Sequence, residues 1–175
     1  MLSGSSEWCV LGGEGSGVDS SAVTFVTVAT PDMLQEVARG RDTYACQEWP
    51  DYIPAHGVDG DNTTMSHSAE NLQYPWWLVD LGQIRLVHQV KILPRQAVYP
   101  ERFNNVEIRV GVELDTSGNF SSYRLFSFYD RVYTADQGVL SCYRRDAVDA
   151  RYISIKRVTS GEILQILEVE VFAFV

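Results

Sequence analysis

Three side chains stand out for the chemistry their types and spacing allow. Arg95 and Arg102 lie seven residues apart in the stretch Pro94-Arg95-Gln96-Ala97-Val98-Tyr99-Pro100-Glu101-Arg102, and 27 residues separate Arg95 from His67 upstream. Guanidinium forks present N–H donors in a fixed plane, and a neutral imidazole offers one donor and one acceptor. Gathered at one end of a β-structure, such groups suit the gripping of neutral polyols, whose hydroxyls need several donors at once. Loop arginines also pair with nearby acids, so spacing alone does not separate a ligand site from a solvated surface.

The elements that would position them read as strands. Trp76 to Leu81 is an apolar run with Gly82 marking a turn, and Leu86 to Leu93 is another. Val106, Ile108, Val110 and Val112 alternate with Glu107, Arg109, Gly111 and Glu113, a period of two. Tyr152–Lys156 and Leu167–Val171 repeat it. Asp32 is placed to cap a short helical turn through Met33–Val37, ended by Gly40. Short strands separated by turn-rich loops predict an all-β sandwich or jelly roll.

Residues 1–32 form an N-terminal extension, and 33–175 the main domain. Gly12-Gly13-Glu14-Gly15-Ser16-Gly17 reads as a linker: no lysine follows it, so it is not a phosphate loop. Val23–Val28 reads as a strand able to dock on a neighbouring chain or subunit, a route to a homo-oligomer.

A length of 175 residues suits one domain with a substantial core. The net charge of −9 argues against a nucleic-acid surface or basic membrane patch. No apolar run reaches the roughly 18 residues of a membrane span. No basic-then-apolar leader is visible, which suits a mature form or a fragment of a larger chain. Cys9, Cys46 and Cys142 make an odd count, leaving at least one thiol free or paired between chains. Asn62-Thr63-Thr64 and Asn119-Phe120-Ser121 fit the N-glycosylation pattern.

Four segments in order resemble the F-type lectins, the fucose-binding jelly-roll family related to discoidin-like domains. They are Ala45-Cys46-Gln47 with His56-Gly57-Val58-Asp59-Gly60-Asp61; Pro75-Trp76-Trp77-Leu78-Val79-Asp80-Leu81-Gly82; Arg95 to Arg102 running into Phe103–Gly111; and Arg151–Ile155 with Leu167–Val171. The resemblance covers about Val37 to Val171 and implies an eight-stranded β-sandwich jelly roll and a secreted, extracellular protein with roles in adhesion or innate recognition. It places His67, Arg95 and Arg102 where the family hydrogen-bonds the 4-hydroxyl, 3-hydroxyl and ring oxygen of fucose. Tyr99 would offer an apolar platform, where many members have a cysteine pair.

The chain departs from the pattern in places. The family has 26 residues between histidine and first arginine, and its aspartate two residues after that arginine is Ala97 here, so the acid that would orient Arg95 is absent. The family disulfide beside the triad falls on Met65 and Leu167, which implies an apolar contact in its stead. Cys142 matches one end of another family disulfide whose partner position, near Phe126–Phe128, holds no cysteine; a buried free thiol is implied. A Cys9–Cys46 pair stays open.

The resemblance also implies a structural Ca²⁺ site, with backbone oxygens of His56, Asp61 and Leu167 joined by the side chains of Asp59, Thr64 and Glu168. Ca²⁺ takes 6–8 oxygen ligands, and a tight glycine-containing loop suits it. The function expected is then a calcium-stabilised, fucose-type carbohydrate-binding domain whose partners are fucosylated glycans or glycoproteins. The alternative is a structural or adhesive assembly module that keeps the fold with glycan binding lost or altered. An enzyme is not expected: none of the three histidines has a nucleophile or acid at catalytic spacing.

Overall fold

The computed structural model describes residues 34–161 and 163–175. The expected extension, its linker and the Val23–Val28 strand lie outside them, as does Cys9. Eight antiparallel strands follow: β1 Leu34–Glu36, β2 Thr43–Ala45, β3 Ser66–His67, β4 Trp76–Pro94, β5 Asn104–Gly111, β6 Arg124–Val132, β7 Leu140–Arg157 and β8 Gln165–Phe174. Their order is β1-β8-β4-β7-β5-β6, with β2 on β4 and β3 on β8.

Two long strands serve both layers of the sandwich. Trp76–Asp80 of β4 pairs with Tyr152–Lys156 of β7, in the layer that continues into β5 and β6. After a register shift between Asp80 and Arg85, β4 pairs with β8 on one side and the first half of β7 on the other. Gly82 sits within that shift at φ 81°, a conformation that favours glycine. The turn expected at Gly82 is therefore a bulge inside one 19-residue strand, and the two apolar runs read as separate strands are its halves.

Between the layers lies an apolar core that includes Trp77, Val79, Leu81, Val90, Ile92, Val106, Ile108, Ile153, Ile155, Val169 and Val171. The Trp77 indole also donates to the Pro54 carbonyl (2.9 Å), anchoring the 3-10 turn Pro54–Val58 that precedes the expected calcium loop. A second cluster of Trp76, Leu78, Phe120, Tyr123 and Tyr152 seals the outer side of the β5 layer.

The helical turn expected at Met33–Val37 is not formed, since Leu34–Glu36 is a strand paired with Phe172–Phe174. The Glu36 carboxylate accepts from the Ala38, Arg39 and Val171 backbone N–H groups, fixing the chain as it leaves β1. Tertiary pairing overrides a weak local preference here. Among the described residues Cys46 and Cys142 are free thiols, and the Cys9–Cys46 pair left open above reaches outside them. The Cys46 sulfur accepts from the Trp76 amide (3.3 Å).

Candidate functional site

At one end of β8 three strands lie side by side. Ile166 is flanked by Ser66 of β3 and by Pro94, the last residue of β4. One step further, His67 pairs with Gln165, and Arg95 leaves β4 on the other side. Because Ile166 and Pro94 turn inward, their successors turn to the opposite, outward face. That alternation turns His67 away from the core, and Arg95 follows directly on Pro94.

The His67 ring is half-buried between Trp49 and Tyr52, with ring centroids 5.9 and 5.5 Å away. The backbone holds this arrangement: Trp49 N–H donates to the His67 carbonyl and His67 N–H to the Tyr52 carbonyl. A carbonyl only accepts, so the Nδ1 contact with Ser68 O at 2.6 Å puts the proton on Nδ1 and leaves Nε2 as an acceptor. Burial pushes the His67 pKa below its ordinary value; the Ser68 carbonyl opposes this, and the charges of Arg95 and Arg102 add to it. Both guanidinium groups are thus close enough for the imidazole to feel them, and the ring is held neutral.

Arg102 lies over the Tyr99 ring, 4.3 Å from its centroid, and Tyr99 takes a left-handed conformation (φ 59°) just before the Pro100–Arg102 turn. Stacking occupies the guanidinium face and leaves its in-plane N–H groups available. Arg95 makes no hydrogen bond or ion pair among the described residues. It forms a wall of an open groove of about 550 Å³ shared with Tyr52, Met65, Gln96, Ala97 and Leu167. His67, Tyr99 and Arg102 are not walls of that groove, so the four expected residues do not line one cavity. Met65 and Leu167, standing where the family has its disulfide, both line the groove. Sequence reasoning missed Trp49 and Tyr52: nothing local to Glu48–Tyr52 links them to His67.

Of the residues expected to hold calcium, Asp59, Asp61, Thr64 and, through Gly60, Glu168 are tied together by hydrogen bonds. The Thr64 hydroxyl lies 2.8 Å from both Asp59 Oδ2 and the Asp61 carbonyl, and Gly60 N–H donates to Glu168 Oε2 (2.9 Å). Gly60 has φ 79°, and a Cβ there would fall 1.8 Å from Arg39 Nη1. Burial pushes the Glu168 carboxyl up to about 7, against the Gly60 amide and Arg39, which favour its charged form. A buried carboxylate with one amide donor and a cation 4.0 Å away is short of positive charge, and two side-chain carboxylates plus threonine and carbonyl oxygens form a hard-oxygen set that fits Ca²⁺. No cluster of three or more His, Cys, Asp or Glu side chains suited to a metal occurs among the described residues; the expected set contains two. His56 points its Nδ1 at the Met65 carbonyl (3.2 Å), which leaves its own carbonyl as the expected contributor.

Residues 56–155 match the model of the NedA-like, galactose-binding domain family. The chain belongs to that family. This NedA-like domain is 28% identical over 126 residues to fucolectin-1 of Anguilla japonica, covering 69% of this chain and 68% of that one. It is 31% identical over 104 residues to a pentraxin fusion protein of Xenopus laevis, covering 59% of this chain but 24% of that protein. Among solved structures, it superposes on the fucolectin from serum of striped bass, Morone saxatilis, with TM-score 0.71 and 25% identity, covering 81% of this chain and 48% of that one. The galactose-binding-like fold and the F-type lectin resemblance both hold, and the chain spans only part of the longer relatives.

Proposed function

We propose that this chain is a lectin-like domain that binds fucose-type glycans at the His67, Arg95, Arg102 and Tyr99 rim. The observation that carries the proposal is a neutral imidazole held with Nε2 as acceptor beside two cationic donors. A sugar hydroxyl can donate to Nε2 while accepting from a guanidinium N–H, so one hydroxyl satisfies both partners. Such a site rejects sugars lacking that hydroxyl, because its own polar groups would then be left unpaired. Trp49, Tyr52 and Tyr99 supply exposed aromatic surface for the apolar face of the sugar.

Ca²⁺ held by Asp59, Thr64, Glu168 and the carbonyls of His56, Asp61 and Leu167 would supply charge that stabilises the loop beside the groove. It takes no part in sugar contact. The partners are fucosylated glycans or glycoproteins met outside the cell, and the domain acts by binding rather than by turnover.

Calorimetric titration with L-fucose, with Arg102→Ala in parallel, tests the reading. Heat of binding that the substitution abolishes supports it; no heat from the wild-type domain at tens of millimolar sugar overturns it and favours the assembly alternative.

A further inference from the structure

Gln165 occupies the middle of the row formed by His67, Gln165 and Arg95. It pairs directly with His67, while its neighbour Ile166 is flanked by Pro94, so the chain leaves β4 as Arg95 beside it. The residue is 2% exposed, and neither Oε1 nor Nε2 of its amide has a hydrogen-bond partner among the described residues. An unpaired buried amide is costly enough that folded proteins seldom keep one without use.

The strand alternation that turns His67 and Arg95 outward turns Gln165 the same way, so its amide lies beneath the rim rather than in the apolar core. The register that pairs Pro94 with Ile166 brings the next residue, Arg95, opposite it, a group with five N–H donors and no acceptor. Arg95 also lacks the acid that its own loop would supply, since position 97 is alanine. A carbonyl oxygen without a donor and a donor fork without an acceptor thus belong to facing chain positions.

We propose that Gln165 is the positioning residue of Arg95. When a sugar draws the guanidinium over the rim, the Gln165 carbonyl oxygen accepts one of its N–H groups from below and fixes the plane in which the others meet the ligand. Gln165 makes no contact with the sugar; it acts through Arg95. This inference rests on the glycan-binding reading above.

The experiment compares wild type, Gln165→Met and Gln165→Glu by fucose calorimetry and by thermal unfolding without ligand. Gln165→Met removes two unpaired polar atoms at similar volume, so its ligand-free midpoint is expected to equal or exceed that of wild type. Its fucose affinity is expected to fall about tenfold, the scale of one hydrogen bond to a charged group. Gln165→Glu keeps an acceptor at the same reach and is expected to bind within about threefold of wild type. A Gln165→Met protein that binds like wild type overturns the inference and leaves the lectin reading intact. So does parallel loss of midpoint and affinity, the mark of mere packing, or a Gln165→Glu protein as weak as Gln165→Met. A wild-type domain that ignores the sugar overturns both.

Discussion

Gly60 and Glu168, 108 residues apart in the chain, are joined by a 2.9 Å hydrogen bond from backbone N–H to carboxylate. This contact brings the loop after the Pro54–Val58 turn onto the strand that runs through the middle of the rim. Glu168 lies three residues along β8 from Gln165, the partner of His67, and two from Ile166, the partner of Pro94.

Calcium should therefore read out as stability. Added Ca²⁺ is expected to raise the melting midpoint and chelator to reverse it, by about 2.7 kcal/mol at a hundredfold excess over the dissociation constant. Glu168→Gln and Asp59→Asn should lose the response. An unchanged midpoint in wild type, followed by calorimetric scanning, would remove calcium from the account.

Acid should act on the rim through His67. Its folded pKa is depressed below 6.5, chiefly by burial, so the imidazole is neutral in both folded and unfolded chains above that pH. As pH falls below 6.5 the unfolded chain takes the proton first, and the stability contributed by the neutral ring is lost as pH passes down through the folded value. Fucose affinity is expected to stay flat from pH 8 to 6.5 and to fall only in more acid solution. Arg95→Ala should raise the His67 pKa, which ring-proton NMR titration measures directly; no change would show that the two groups do not sense each other.

Away from the rim, Arg151 grips Asp80 with two hydrogen bonds of 2.8 Å, and this pairing holds the Asp80 carboxyl below the usual range. Asp80→Asn keeps the shape and removes the charge. It is expected to lower the urea midpoint, screened by solvent at the exposed Arg151, while leaving fucose affinity unchanged. A loss of affinity with no loss of stability would place this pair in the binding site instead.

The Cys142 thiol is half-buried, which raises its pKa, and the Ser127 side chain of β6 opposes the rise. Ser127→Cys puts a second thiol where a family disulfide has its other end. Under oxidising conditions the 127–142 crosslink is expected to form and to add about 2–3 kcal/mol, with the gain abolished by dithiothreitol. Two free thiols counted by labelling after oxidation would show that the strands stand too far apart.

The strands read from a period of two, such as Val106–Val110, are present because their alternation records a face turned inward. β6 was not read because Arg124–Val132 is an edge strand whose outward residues include exposed Leu125, Phe128 and Val132, which blurs the pattern. The join of Trp76–Leu81 to Leu86–Leu93 was hidden by Gly82, whose left-handed conformation serves a bulge as readily as a turn. Of the candidate site, His67, Arg95 and Arg102 were singled out by residue type and order. Trp49, Tyr52 and Gln165 were not, since each reaches the rim by cross-strand or loop pairing that leaves no local spacing.

Because β4 and β7 each run unbroken from one layer into the other, neither layer can peel away without snapping pairs in its neighbour. Pulling on a captured ligand would load the whole sandwich at once, so a tug at the tip is met by the grain of the entire fold.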